Sequence, residues 1–193
     1  MIYRFYILFI VTLTMGCVSS DPPPQTFYYL LEKQPLTYEW EEGSNVAQVD
    51  IVALPSYLLQ PNLVMLEEKH QLYYANYHKW ATDLRDNIQH VLLADLNEQF
   101  SDVNFVKSCE GCPTIFIHVL GFYPTLDGEV HLHGFFEVDL GAHDTTGIES
   151  VKRHSFALVT PIETGDYQGA VSAMRMSLKA LSLSIKHSTQ QKT

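Results

Sequence analysis

Residues 71–100 read QLYYANYHKWATDLRDNIQHVLLADLNEQF. The spacing between apolar residues changes within this stretch, from one typical of a strand to one typical of a helix. The stretch from Gln71 to Tyr77 is rich in tyrosine and predicts a β-strand. From His78 to Phe100 the apolar residues recur at spacings of three and four, which predicts a helix with one apolar face. These positions are Trp80, Leu84, Ile88, Val91, Leu92, Leu96 and Phe100. Such a helix needs a sheet to cover, so this stretch favours a fold of mixed strands and helices.

The chain upstream of this stretch predicts three strands and a connector. The strands cover residues 27–31, 46–54 and 63–66, the last joined to the strand at 71–77 by a short charged hairpin. Alternation in the second strand places a common set of side chains on one face, namely Val46, Gln48, Asp50, Val52 and Leu54. Residues 56–60 are bracketed by two prolines and are too few for a stable helix, so we expect a turn-like connector.

The chain downstream predicts four more strands and a final helix. The strands cover residues 103–106, 114–123, 129–140 and 150–158, with a turn at Asp127-Gly128 and a loop at 141–147. Pro161 ends the last strand. Thr164 or Asp166 can cap a helix that runs to about Lys186. Its apolar stripe consists of Ala170, Met174, Leu178, Leu181 and Ile185.

The order of these elements gives the fold class. Strands, a helix, a β-meander and a second helix predict a single α+β domain over residues 27–187, in which two long helices pack on one face of one mostly antiparallel or mixed β-sheet. Residues 188–193 are expected to form a disordered tail.

The N-terminus has the three-part layout of a secretory signal over residues 1–16. Its apolar stretch is about half the roughly 20 residues that a membrane-spanning helix needs. Residues 13–17, LTMGC, resemble a bacterial lipobox, in which Cys17 is acylated after cleavage. The polar, proline-rich residues 17–26 predict a flexible tether. Val18 follows the cysteine where aspartate would favour the inner membrane, so we expect an outer-membrane lipoprotein whose domain faces the periplasm. The alternative is a secreted protein that loses Cys17.

The charge of the chain disfavours negatively charged partners. Lysine and arginine number 12 against 22 acidic residues, for a net charge of −10, and no basic run interrupts this excess. Nucleic acid and anionic headgroups are therefore poor electrostatic partners, and we expect no nucleic-acid binding.

The remaining cysteines and three histidines are the candidates for redox or metal chemistry. Cys109 and Cys112 form a C-x-x-C in a chain sent to an oxidising compartment, so we expect a small disulfide that staples a turn. His131 and His133 share one face of a strand, with His118 on a neighbouring strand, and three imidazoles could bind zinc. No acidic ligand pattern accompanies them, so we assign no metal and no cofactor.

No catalytic motif is visible in the sequence. A nucleophile elbow, a paired-histidine helix motif and a glycine-rich phosphate loop are all missing, so we assign no catalytic residue. Aromatic residues are abundant near the predicted sheet and first helix. Most are expected in the core, and an exposed minority would suit a protein or lipid contact surface.

Four segments together resemble the ABC-type transport auxiliary lipoproteins, typified by paraquat-inducible protein C of the Pqi system. They are the lipobox and tether with FYYLL at 27–31, VALPSYLLQPNLV at 52–64, YHKWA at 77–81 with its helix, and AVSAM at 170–174. The resemblance implies a lipoprotein that works with an MCE-domain membrane protein and its integral membrane partner in intermembrane lipid transport, and supports membrane integrity. It carries over Cys17 as the lipidation site, and no catalytic residue.

Two other functions stay open at this point. One is an envelope hydrolase whose site no motif reveals, and the other is a metal- or redox-sensing lipoprotein that uses the histidines and the cysteine pair. Assembly into a homo-oligomer is also open.

Overall fold

A computed structural model describes residues 22–32, 45–68, 70–139 and 152–190. Within these ranges the strands are β1 (Phe27–Tyr29), β2 (Asn45–Ala53), β3 (Asn62–Glu68), β4 (Gln71–Trp80), β5 (Val103–Val106), β6 (Thr114–Pro124), β7 (Glu129–Asp139) and β8 (Lys152–Pro161). The helices are α1 (Leu84–Gln99) and α2 (Tyr167–Gln190), and a 3-10 turn spans Ser56–Leu59. The α+β class with two long helices is confirmed.

The strands are distributed over two hydrogen-bonded sheets. A five-stranded sheet has the order β5-β2-β6-β7-β8, in which β2 runs parallel to β5 and β6 and the last three strands form an antiparallel meander. A three-stranded sheet has the order β1-β4-β3, with β1 parallel to β4. The two sheets meet where Leu66 bridges Thr125. The hairpin predicted between β3 and β4 is confirmed.

Both helices pack on the same face of the five-stranded sheet, α1 against β2 and β5 and α2 against β6, β7 and β8, and they also contact each other. The core between these layers is built from alternate strand residues and the apolar helix stripes. Its fully buried members include Val49, Ile117, Leu132, Phe136, Ile88, Leu92, Leu96, Leu178, Leu181 and Ile185. In β2 the buried face consists of Ala47, Val49 and Ile51. The alternate residues from Val46 onward, which the sequence analysis placed on one face, lie on the opposite side.

The predicted start of the first helix was wrong. Residues 78–80 continue β4, because His78 and Trp80 pair with Phe27 and Tyr29 of β1. The helix begins at Leu84, after Asp83, whose side chain accepts hydrogen bonds from the backbone N–H groups of Arg85 and Asp86. Trp80 is buried as a strand residue, with 6% exposure.

The final helix is longer than predicted. It continues to Gln190, so residues 188–190 are helical and do not belong to a disordered tail. Of the two candidate caps, Asp166 accepts the Gly169 N–H at 2.7 Å, and the Thr164 hydroxyl donates to Asp166 at 3.0 Å. Residues 141–147, the predicted loop, lie outside the described residues.

An ion cluster joins both helices to the segment that follows β1. Arg175 of α2 donates to both carboxylate oxygens of Asp95 on α1, at 2.8 and 2.6 Å, and to Glu32 at 3.0 Å. Asp95 is only 2% exposed. Burial acts to lower the pKa of Arg175, but the hydrogen bonds and charges of the two carboxylates outweigh it and raise that pKa. The cluster fixes the beginning of the domain onto its helical layer.

Candidate docking surface

One face of the five-stranded sheet points away from the helices. In β7, Val130, Leu132 and Phe136 point into the core and are at most 1% exposed. The intervening residues His131, His133, Phe135 and Glu137 are half-buried and lie on the opposite side. We call this side of β6, β7 and β8 the open face.

Four side chains on three adjacent strands of the open face interlock. His118 of β6 stacks on Phe135 of β7, with ring centroids 4.3 Å apart, and the Arg153 guanidinium of β8 lies 4.4 Å from the Phe135 centroid. Glu137 accepts hydrogen bonds from Arg153 Nε and Nη2 at 2.9 and 2.8 Å. Its other oxygen lies 3.4 Å from His118 Nε2.

The strand register produces this arrangement. His118 pairs with Phe135, and Glu137 pairs with Arg153, so the four side chains stand on neighbouring positions of one face. Cross-strand contacts of this kind each contribute roughly 0.2–1 kcal/mol, so the cluster is a modest stabiliser. Its more important effect is to fix a charged and aromatic surface in one shape. We call the four residues His118, Phe135, Glu137 and Arg153 the ladder.

A second aromatic group occupies the same face nearer the small sheet. Tyr123 stacks on His131 with centroids 5.9 Å apart and meets the edge of His133 at 6.2 Å. The His133 imidazole lies over Gly121, where a Cβ atom would come within 2.1 Å of its Cε1. Glycine at 121 therefore allows this imidazole to lie flat on β6.

The three histidines considered for metal binding have other neighbours. His118 faces Glu137, His131 Nε2 lies 3.4 Å from Glu129, and His133 contacts Tyr123. Within the part of the chain that the structure describes, no three side chains of metal-binding type come together. The histidines thus contribute to an aromatic surface.

Cys109 and Cys112 are joined in the structure, with Cα atoms 5.8 Å apart, in the loop between β5 and β6. Gly111 inside this loop has a φ of +74°, a conformation that glycine adopts without strain. The Cys109 N–H donates to the Gln48 side chain of β2 at 3.0 Å. This hydrogen bond ties the loop to β2.

A carboxylate with a shifted pKa in a cleft can mark an enzyme site. Asp166 has a lowered pKa, first because it accepts the Gly169 backbone N–H and second because it accepts the Thr164 hydroxyl. Both contacts belong to the cap of α2. The shift therefore has a structural cause.

Cys17 and the rest of residues 1–21 lie outside the described residues. Within the described ranges, no helix combines the length and apolar character needed to cross a membrane. Sequence reasoning named the three histidines but missed the ladder. Only strand pairing brings Arg153 of β8 and His118 of β6 beside Phe135 and Glu137 of β7.

Comparisons with known proteins agree with the fold. A family model described as "ABC-type transport auxiliary lipoprotein component" matches residues 29–186. A crystal structure of an uncharacterized protein has a TM-score of 0.73 at 22% identity and covers 86% of this chain and 99% of its own. Protein XCC0632 from Xanthomonas campestris, described as DUF330, has a TM-score of 0.58 at 13% identity, with coverage of 78% and 89%. No curated protein sequence matches the chain.

Proposed function

Because the chain belongs to the ABC-type transport auxiliary lipoprotein component family, we propose that it is a non-enzymatic docking lipoprotein of an MCE-type (Pqi) intermembrane lipid transport system. Acylation of Cys17 would anchor it to the outer membrane, with the domain in the periplasm and the MCE-domain protein and its integral membrane partner as its binding partners. Loss of the docking step would weaken membrane integrity. The family match over residues 29–186 is the observation that carries this proposal.

The open face supports docking as the mode of action. A surface that is fixed before binding favours a protein partner, since ordering flexible side chains at an interface costs affinity. The ladder meets this condition, because Glu137 and Phe135 hold His118 and Arg153 in place. Arg153 is still 63% exposed, so its remaining donors face outward and can reach acceptors on a partner.

The experiment is affinity capture of the lipidated protein from detergent-solubilised envelopes, followed by mass spectrometry of what is retained. We expect the MCE-domain protein with the parent chain and much less with Phe135→Ser or Arg153→Glu. Leu183→Ser is the matched control, because Leu183 is an exposed apolar residue on α2, at 42% exposure, away from the open face.

Two results would contradict the proposal in different ways. Absence of any envelope transport protein from the parent capture would refute the partnership. Equal capture by the open-face variants and by Leu183→Ser would place docking on another surface. A Cys17→Ala chain tests the anchor separately, because it should no longer acquire acyl mass.

A further inference from the structure

One edge of the five-stranded sheet is long and regular. Among the described strands, β1, β3, β5 and β8 lie at the edges of the two sheets. The strand β1 has three residues, β5 has four, and β3 has two register shifts against β4. In contrast, β8 has ten residues and pairs with β7 without a shift. Native edge strands are usually short, bulged or covered, because a long regular edge is a template for another strand.

The backbone of β8 shows which of its groups point away from β7. The Ile162 N–H donates to the Gly128 carbonyl at 2.7 Å and therefore points toward β7. Hydrogen-bonding direction alternates along a strand, so the even-numbered residues 154–160 also point toward β7. The outward-pointing N–H and C=O groups then belong to Arg153, Ser155, Ala157 and Val159. Pro161 fits this assignment, since a proline on an edge strand has its nitrogen on the unpaired side.

The side chains along this edge allow another backbone to come close. On the open face, Ser155 and Ala157 are small and exposed, and Val159 is 55% exposed. On the opposite face, the Ser177 hydroxyl of α2 lies 2.8 Å from the Thr160 hydroxyl. Helical spacing puts the alanines at 173 and 180 on the same side of α2 as Ser177. The side of α2 that lies over β8 therefore adds little bulk at the edge.

A second β8 in antiparallel orientation matches the outward groups. With a two-fold axis at Phe156, Arg153 of each copy lies opposite Val159 of the other, and Ser155 lies opposite Ala157. All of the outward residues then fall in hydrogen-bonded pairs, and each pair exchanges two N–H···O bonds. The edge is thus complementary to itself, as a contact about a two-fold axis requires.

The charges of β8 favour the same arrangement. The strand begins with Lys152 and Arg153, contains no acidic residue, and is followed by the exposed Glu163. Parallel alignment of two copies would bring the basic ends together, and like charges on paired strands are destabilising. Antiparallel alignment instead places each basic end beside the uncharged end of the other strand, on the side where Glu163 follows.

We propose that β8 pairs with β8 of a second copy of this chain, so that the two five-stranded sheets join in one sheet. The inference depends neither on acylation of Cys17 nor on the proposed transport partner. The pairing joins the two open faces into one surface, with a ladder on each side of the two-fold axis.

The first test is the oligomeric state of the full chain purified from envelopes, measured by sedimentation equilibrium in density-matched detergent. We expect a dimer that dissociates on dilution. Ala157→Pro should be monomeric, because the proline ring removes an outward N–H and obstructs the incoming strand. It spares the hydrogen bonds to β7, so circular dichroism should show a retained fold.

Val159→Lys and Val159→Glu form a matched pair that decides the question even if Ala157→Pro fails to fold. Position 159 is exposed and lies opposite Arg153 of the other copy, which repels a lysine and attracts a glutamate. The two-fold axis repeats this contact. The dissociation constant of the dimer should therefore be roughly three- to thirtyfold higher for the lysine variant than for the glutamate variant.

Cysteine substitutions test the register. Ser155→Cys chains mixed with Ala157→Cys chains should form a disulfide-linked dimer, because the Cα atoms of an opposed hydrogen-bonded pair lie about 5.5 Å apart. Either variant alone should crosslink much less, since its own cysteines are diagonal neighbours roughly 7–8 Å apart. The parent chain, in which Cys109 and Cys112 are already joined, gives the background.

Three results would overturn the inference. The first is a chain that stays monomeric at every concentration. The second is a dimer with the same dissociation constant for both Val159 variants. The third is equal crosslinking by the mixed and the single cysteine chains, which would mean that copies associate through another register or another surface.

Discussion

Replacing Arg175 with methionine tests the ion cluster that joins the two helices. Both carboxylate oxygens of Asp95 accept hydrogen bonds from Arg175, and Asp95 is 2% exposed. With methionine at 175, that carboxylate stays buried without its cation. Removing one partner of a buried ion pair costs about 3–5 kcal/mol. Since small domains are stable by roughly 5–15 kcal/mol, we expect a large fall in the free energy of unfolding.

A double variant distinguishes the cost of leaving Asp95 unpaired from the net contribution of the Arg175–Asp95 pair to stability. Arg175→Met combined with Asp95→Leu removes both charges and leaves an apolar contact of similar size. Such replacements are often neutral or stabilising, so we expect most of the lost stability to return. Glu32 keeps access to water at 25% side-chain exposure, so it tolerates the loss of Arg175.

The assay is urea unfolding followed by circular dichroism, with the midpoint and the slope both fitted. Arg153→Met is the control, because its pair with Glu137 is 63% exposed on the arginine side and should contribute about 0–1 kcal/mol. The reasoning fails if Arg175→Met costs no more than this control. It also fails if the double variant is as unstable as the single one.

Three further predictions concern the glycines, the helix cap and the cysteines. Gly134→Ala should lower the free energy of unfolding by about 1–3 kcal/mol, because the new Cβ would lie 2.0 Å from the backbone oxygen of His118. Gly121→Ala should cost less in the same urea assay, because its Cβ meets only the movable His133 ring. Folding lowers the pKa of Asp166 from its ordinary value of 3.8, so the ionised carboxylate stabilises the fold above about pH 4. This stabilisation is lost as the pH falls through the pKa of the folded state. Asp166→Asn should therefore lack this acid-range loss in thermal melts below about pH 4, and an unchanged profile would contradict the assignment. Cys109→Ser with Cys112→Ser should keep the fold at a cost of about 2 kcal/mol, and thiol labelling of the native chain should require prior reduction.

Local sequence patterns predicted most of the elements of this fold. The strand-to-helix change near residue 80, the hairpin between β3 and β4 and the turn at Asp127-Gly128 depend on neighbours in the chain, and all three are present. The start of α1 was misplaced because His78 and Trp80 fit a helical stripe as well as a strand. Their pairing with β1 decided the outcome. The Asp83 cap was a local signal that could have corrected it.

Contacts between distant residues could not be predicted. Arg175 and Glu32 are 143 positions apart, and no local pattern connects them. The division into two sheets has the same origin, because β1 joins β4 across about fifty residues of chain. The open face was foreseen only as three histidines. The register that places Arg153 beside Glu137, and His118 beside Phe135, is a property of the assembled meander.

The shortness of β1 would have a mechanical consequence if the domain is anchored through Cys17, as proposed above. Any load transmitted through the N-terminal chain reaches β1 first, and β1 is held to β4 by only three paired positions. Behind it, Leu31 is inserted in the core at 3% exposure and Glu32 is fixed to Arg175. In the proposed anchored state, tension would act on the short β1 pairing before it reached the core, which Leu31 and the Glu32–Arg175 contact hold behind it.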